Sequence, residues 1–176
     1  MEQLIKELFE KTPKCLSELK TSVSDVQLPR SWNSGPLFTT KLISCKCGNE
    51  ELELHTAQRK ASKGFFKKKE VTEYYPPVKV SCTKCNNSTT IFNPEVHGWN
   101  GETEESLGTP QEVELMPYSP GMGEVYVNYS YQGVENYEDL VEEGVKNPED
   151  FFDTFTVLVK NSNTGGLVEV VSCECA

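Results

Sequence analysis

Six of the seven cysteines fall in three close pairs, Cys45 with Cys47, Cys82 with Cys85 and Cys173 with Cys175, while Cys15 stands alone. A thiolate pair one or two residues apart on a tight turn can present both sulfurs to one point about 2.3 Å away, and two such pairs complete the tetrahedron of a structural zinc site. The first two pairs carry the turn chemistry this needs. Cys45-Lys46-Cys47-Gly48-Asn49 and Cys82-Thr83-Lys84-Cys85-Asn86-Asn87 each run into residues that tolerate positive φ, so backbone amides can point back at the sulfurs. One Zn2+ ion held by Cys45, Cys47, Cys82 and Cys85 is therefore the expected cofactor. Lys46 and Lys84, inside the pairs, would offset part of the double negative charge of a zinc tetrathiolate. The competing assignment is four reduced cysteines that merely fill strand ends.

A thioredoxin-like role for Cys82 and Cys85 fits poorly, because that chemistry places its first thiol at a helix N-terminus and Ser88 to Phe92 reads as strand. Cys173 and Cys175 sit beside Glu174 with no flanking turn residues, and read as small apolar side chains on one face of a C-terminal strand; the alternative is that this pair replaces one of the other two as metal ligands. The two histidines, His55 and His97, are isolated. His97 lies in a stretch rich in Gly, Asn and Trp, a tightly turned loop that would either carry function or be a surface turn anchored by Trp99.

Between the thiol pairs lies the one basic cluster, Arg59, Lys60, Lys63, Lys67, Lys68 and Lys69, with Phe65 and Phe66 among them. Cations mixed with aromatics can hold phosphates and stack bases. Glu70 and Glu73 follow at once, so the alternative is a solvated hairpin tip, and an acidic patch on a partner protein would fit the same residues. Catalysis needs a positioned base, a nucleophile or an open metal position. None is visible, and the chain is expected not to be an enzyme; the contrary reading is a metalloenzyme with an open site near His97.

The elements that must position these residues are mostly strands. Leu37 to Ser44 enters the first thiol pair and Glu51 to His55 leaves it with period-two alternation; Val78 to Ser81 and Ser88 to Phe92 flank the second pair in the same way. Both read as hairpins with a thiol pair at the tip. Further strands are expected at 112–116, at 124–131 with Val125, Val127, Tyr129 and Tyr131 on one core face, and in a closing hairpin of 154–160 with 167–173. Leu4, Ile5, Leu8 and Phe9 share helical spacing, predicting a short N-terminal helix that stops near Pro13, with a further turn or two through Leu16 and Leu19. Residues 21–36 read as a connection, 137–145 as a helix, and Asn147-Pro148 as the start of a capped helical turn. The fold class is thus mainly β: antiparallel sheets with a zinc-ribbon-like module and a short N-terminal helix. Its expected divisions are 1–36 as helix and linker, 37–92 as the ribbon-like module and 93–176 as a β-rich region packed with it in one unit.

Length and charge agree with that picture. A chain of 176 residues supports one good core and not two large domains. Residues 1–70 hold 13 Lys and Arg against 9 Asp and Glu, whereas residues 71–176 hold 4 against 18. So acidic a C-terminal side repels nucleic acid over most of the surface and leaves room only for a local polyanion contact. No run approaches the roughly 18 apolar residues that cross a bilayer, and the mixed first ten residues do not form a signal peptide. A cytoplasmic protein without membrane contact is expected, and in that reducing compartment cysteine pairs serve as metal ligands or free thiols.

The two thiol turns are similar to those of zinc ribbons. The wider layout, from about Trp32 onward, resembles the CXXC motif containing zinc binding protein family of eukaryotes: a strand into Cys45-Lys46-Cys47-Gly48-Asn49-Glu50, a spacer of 34 residues, a strand into Cys82-Thr83-Lys84-Cys85, and a later β-rich segment with Tyr131-Gln132-Gly133. The first pair here is Cys-x-Cys where that family has Cys-x-x-Cys, and the N-terminal helix is additional. The resemblance implies β layers joined around one zinc and metal ligation by Cys45, Cys47, Cys82 and Cys85. It implies no catalytic residue and no defined cellular role, which leaves binding to another protein as the expected mode of action.

Overall fold

Leu52, Leu54 and Thr56 alternate with Glu53 and His55, and in the folded chain the first set is buried while the second is half-exposed. This is the period-two signature of a strand packed on one face. The same logic repeated along the chain builds, among the described residues, an antiparallel sheet of nine strands. The computed structural model describes residues 2–24, 26, 28, 38–64, 69–94, 97, 114–118, 121–131, 139, 142–144, 146–162 and 164–174, with residues 2–5 by backbone only. Helix α1 (Glu2–Glu10) and a 3-10 turn (Lys14–Leu16) precede the strands: β1 (Lys20–Val23), β2 (Phe38–Ser44), β3 (Glu51–Lys63), β4 (Lys69–Cys82), β5 (Ser88–Phe92), β6 (Met116–Pro117), β7 (Gly123–Ser130), β8 (Thr154–Asn161) and β9 (Leu167–Glu174).

The centre of the sheet is β7. One edge pairs along its full length with β8, from Gly123 opposite Asn161 to Ser130 opposite Thr154. The other edge is shared in line by two strands: β2 covers Val125 to Ser130, and the first residues of β3 cover Glu124 and Gly123. Consequently β2 and β3 run in the same direction and do not pair with each other. The first thiol turn is therefore not a hairpin tip, as its sequence suggests, but an excursion between two collinear strand segments. Only the second pair sits in a true hairpin, with Ser81 opposite Ser88 and Val78 opposite Phe92. Gly123 is needed where β7 meets both neighbours, because a Cβ there would collide with the carbonyl oxygen of Lys160 and press on Val159.

From β7 the sheet extends as two arms, β8–β9 on one side and β3–β4–β5 on the other, and curls so that their inner faces meet. Phe92 of β5 stacks on Phe155 of β8 with ring centroids 4.7 Å apart, and Tyr129 and Phe152 complete the aromatic cluster. Val125, Val127, Tyr129 and Tyr131 all face this core, as their spacing predicts. The opposite side of β7 is also buried but polar. There Asn128 donates to Thr40 Oγ1 at 2.9 Å, and Ser130 shares a hydrogen bond with Thr154 at 2.7 Å, cross-strand pairs of the kind that fix register.

The N-terminal segment is clasped onto the sheet. Leu8 and Leu16 are fully buried. The buried Lys41 of β2 donates through Nζ to the carbonyls of Phe9 at 3.0 Å and Lys11 at 3.3 Å, at the end of α1 where unpaired carbonyls attract a cation. Burial lowers the pKa of Lys41. Leu16 ends a 3-10 turn in place of a continued helix, and residues 20–23, which overlap the expected connection, form an edge strand on β2. Strands β3 and β4 are far longer than their alternation signals and form a hairpin reaching Lys63 and Lys69. Pro148 to Asp150 is a 3-10 turn as expected, though Asn147 makes no side-chain cap. Of 137–145, the described Asp139 and Glu142 are helical; most of that stretch, like 111–113 and Trp99, lies outside the described residues.

Candidate metal centre

Each thiol turn is closed by its own backbone. In the first, the Cys45 amide donates to Asn49 O at 2.9 Å and the Gly48 amide to Cys45 O at 2.8 Å, with Gly48 at φ +87. In the second, the Cys82 amide donates to Asn87 O at 2.8 Å and the Asn86 amide to Cys82 O at 2.9 Å, with Asn86 at φ +58. Gly48 and Asn86 thus take the left-handed conformation that glycine and asparagine adopt most readily. Pairing of Leu52 with Cys82 in the β3–β4 ladder then brings the two turns side by side.

The result is a cluster in which all four sulfurs of Cys45, Cys47, Cys82 and Cys85 lie within 4.8 Å of one another. Cys45 Sγ is 3.4 Å from Cys85 Sγ, and Cys47 Sγ is 3.6 Å from Cys82 Sγ. A tetrahedron with metal–sulfur bonds of about 2.3 Å has edges of about 3.8 Å, so the four sulfurs are close enough to hold one metal ion. Cys45 and Cys82 are buried, whereas Cys47 and Cys85 are exposed. Burial raises the pKa of the Cys82 thiol, but the backbone N–H groups of Cys85 and Lys84, the Asn49 amide and the Cys85 thiol outweigh it and bring it down to about 6. A thiol lowered in this way at Cys82 suits a cation.

Asn49 supplies a contact that spacing alone does not single out. Its Nδ2 lies 2.6 Å from Glu51 O, 3.2 Å from Thr83 Oγ1 and 3.5 Å from Cys82 Sγ, so one amide bridges both turns. Lys46 behaves differently from its expected role at the sulfurs. Its ammonium pairs with Glu18 at 3.4 Å, linking the first turn to the N-terminal segment. That pair lines a cavity of about 300 Å³ together with the apolar Leu19, Leu52 and Val80 and the polar Asn87, Ser88 and Thr89.

The remaining candidates lie elsewhere. Among the described residues the four cysteines are the one group of three or more potential ligands this close together. Cys173 is buried opposite Phe155 in the core, and Cys175 lies outside the described residues. His55 Nε2 is 3.1 Å from Glu53 Oε2 on the face of β3. His97 lines a separate cavity of about 190 Å³ with Lys14, Cys15, Asp150 and Phe152. Its Nδ1 accepts the Asn93 amide at 2.8 Å, and burial, then the Lys14 charge, lower its pKa against the pull of Asp150.

The basic segment is the end of the β3–β4 hairpin, and three of its described cations face carboxylates. Arg59 donates to Glu73 at 3.0 Å, Lys63 pairs with Glu73 at 2.7 Å, and Lys60 approaches Glu70 at 3.7 Å. Lys69 is exposed, and Lys67 and Lys68 lie outside the described residues. Lys63, Tyr75 and Arg59 together hold the Glu73 carboxyl at about 2, well below its usual 4.5. A carboxylate lowered by folding stabilises the native state fully above its unfolded pKa and loses that contribution as pH falls through the folded value. Glu73→Gln is therefore expected to destabilise the hairpin at neutral pH, and the difference from wild type should fade between about pH 4.5 and pH 2 in urea titrations.

Comparison of the chain with protein-family models, with curated proteins and with solved structures gives no match in any of the three.

Proposed function

We propose that this is a zinc-binding protein whose four-cysteine centre is architectural, and that it acts in the cytoplasm by binding another protein. The carrying observation is the meeting of two turns, 35 residues apart between Cys47 and Cys82, with four sulfurs within 4.8 Å. All-sulfur ligation suits zinc, and four protein ligands leave no open position for substrate, which argues against an enzyme. An ion at this point would tie the β2–β3 junction to the β4–β5 hairpin. The likeness of the turns to zinc ribbons supports the same reading.

Binding to a partner is favoured over nucleic acid because Arg59, Lys60 and Lys63 already face Glu70 and Glu73, which cancels much of the local positive field. No helix among the described residues is long and apolar enough to cross a membrane. Two measurements test the proposal. Elemental analysis of the purified protein should find one zinc per chain, and retention on single-stranded DNA or RNA should be weak and indifferent to Lys60→Glu with Lys63→Glu. Absence of metal would overturn the architectural centre, and steeply salt-dependent retention abolished by those changes would replace the protein partner with a nucleic acid.

A further inference from the structure

Two close sulfur approaches run across the two turns, and each joins a buried cysteine to an exposed one: Cys45 with Cys85 at 3.4 Å, and Cys82 with Cys47 at 3.6 Å, while the Cys85 thiol also hydrogen-bonds to Cys82 within the second turn. We propose that the centre is also a site of oxidation by hydroperoxides, where the exposed Cys47 and Cys85 react first and the buried Cys82 and Cys45 close two disulfides across the turns. Oxidation would then expel the metal while leaving the turns joined. This rests on the metal reading above for what is released, but not for which sulfurs pair.

Each step balances. An exposed thiolate attacks one oxygen of the hydroperoxide; the O–O bond breaks, a sulfenic acid forms, and hydroxide or the corresponding alkoxide leaves. The facing thiolate attacks that sulfenic sulfur; the S–O bond breaks, the S–S bond forms and hydroxide leaves. Two thiolates lose two electrons to one hydroperoxide, so four ligands consume two. The metal departs as the divalent cation it was, having lost every sulfur ligand.

Spacing argues against pairs within the turns, and the distances choose between the two pairings across them. If Cys82 bonded to Cys85 within its own turn, Cys45 and Cys47 would be left to close a Cys-x-Cys ring, whose separation strains the preferred dihedral of a disulfide. Bonds across the turns use all four sulfurs without that ring. They also tie the same two points that the metal ties, at a sequence separation of 40 residues between Cys45 and Cys85, enough to restrict the unfolded chain substantially. The product should be a metal-free protein that keeps its fold.

The chain lends itself to a direct test, since trypsin cuts after Lys46 and Lys84 and so separates all four cysteines onto different peptides. The protein as purified is treated with hydrogen peroxide, released metal is read with a chromophoric chelator, and disulfides are mapped by mass spectrometry. The expected result is complete release by two equivalents of peroxide, Cys45–Cys85 and Cys47–Cys82 peptides, and protease resistance retained by the oxidised chain but lost by the reduced, chelated one. A Cys82–Cys85 peptide as the main product, metal retained by the oxidised chain, or protease sensitivity equal to that of the reduced apoprotein would overturn the proposal. If the purified chain carries no metal, the architectural reading fails by itself, and the peptide map still decides the pairing.

Discussion

Chelation of the metal under reducing conditions is expected to abolish the cooperative unfolding transition of the β3–β4–β5 arm. The reason is one of scale. Structural zinc in finger peptides contributes an apparent free energy of roughly 10 to 16 kcal/mol, about as much as the whole stability of an ordinary domain. The turns that carry the sulfurs are short and solvent-facing, with Cys47 and Cys85 exposed, so little apolar burial replaces the ion. Cys82→Ser should reproduce most of this effect, because it removes a buried sulfur of the proposed centre that also receives the Asn49 amide. Calorimetry with and without chelator measures it: a large loss of transition temperature and enthalpy is expected, and overlapping traces would refute it.

The second large effect belongs to the core and is independent of metal. Phe155 is fully buried on β8, stacked on Phe92 of the opposite arm and 5.1 Å from Phe152. Truncation to alanine removes the ring that joins the two inner faces and leaves a cavity that strands cannot collapse around. A loss of about 3 to 5 kcal/mol is expected, a fall of about 6 to 20 °C in midpoint for a chain of this length. Metal content should be unchanged in Phe155→Ala, since β8 carries none of the four cysteines. A variant that loses its metal along with its stability would show that core and centre form one cooperative unit.

Sequence and fold agree where a local rule decides. Period-two alternation locates β2, β5, β7, β8 and β9, and Gly48 and Asn86, which tolerate positive φ, mark the two turns. The four cysteines can be grouped from spacing because metal chemistry demands convergence. What escapes is non-local. Nothing between Ser44 and Glu51 announces that the strands on either side run in line along β7 and not against each other, since register is set by a partner far along the chain. The length of β3 and β4 is hidden for a related reason: their outer halves carry Arg59, Lys60, Glu70 and Glu73, a polar pattern held as strand by cross-strand pairing of those charges. Strand β1 has too little apolar content to signal itself and exists by pairing with β2. Lys46 turns to Glu18 and not to the sulfurs because sequence proximity does not say which way a long side chain points.

X-ray absorption at the zinc edge of the purified protein tests the central claim most directly. The account predicts one shell of four sulfur neighbours at about 2.3 Å, lost when Cys82 is replaced by serine. Nitrogen or oxygen atoms in that shell, or a native protein with no metal to measure, would contradict it.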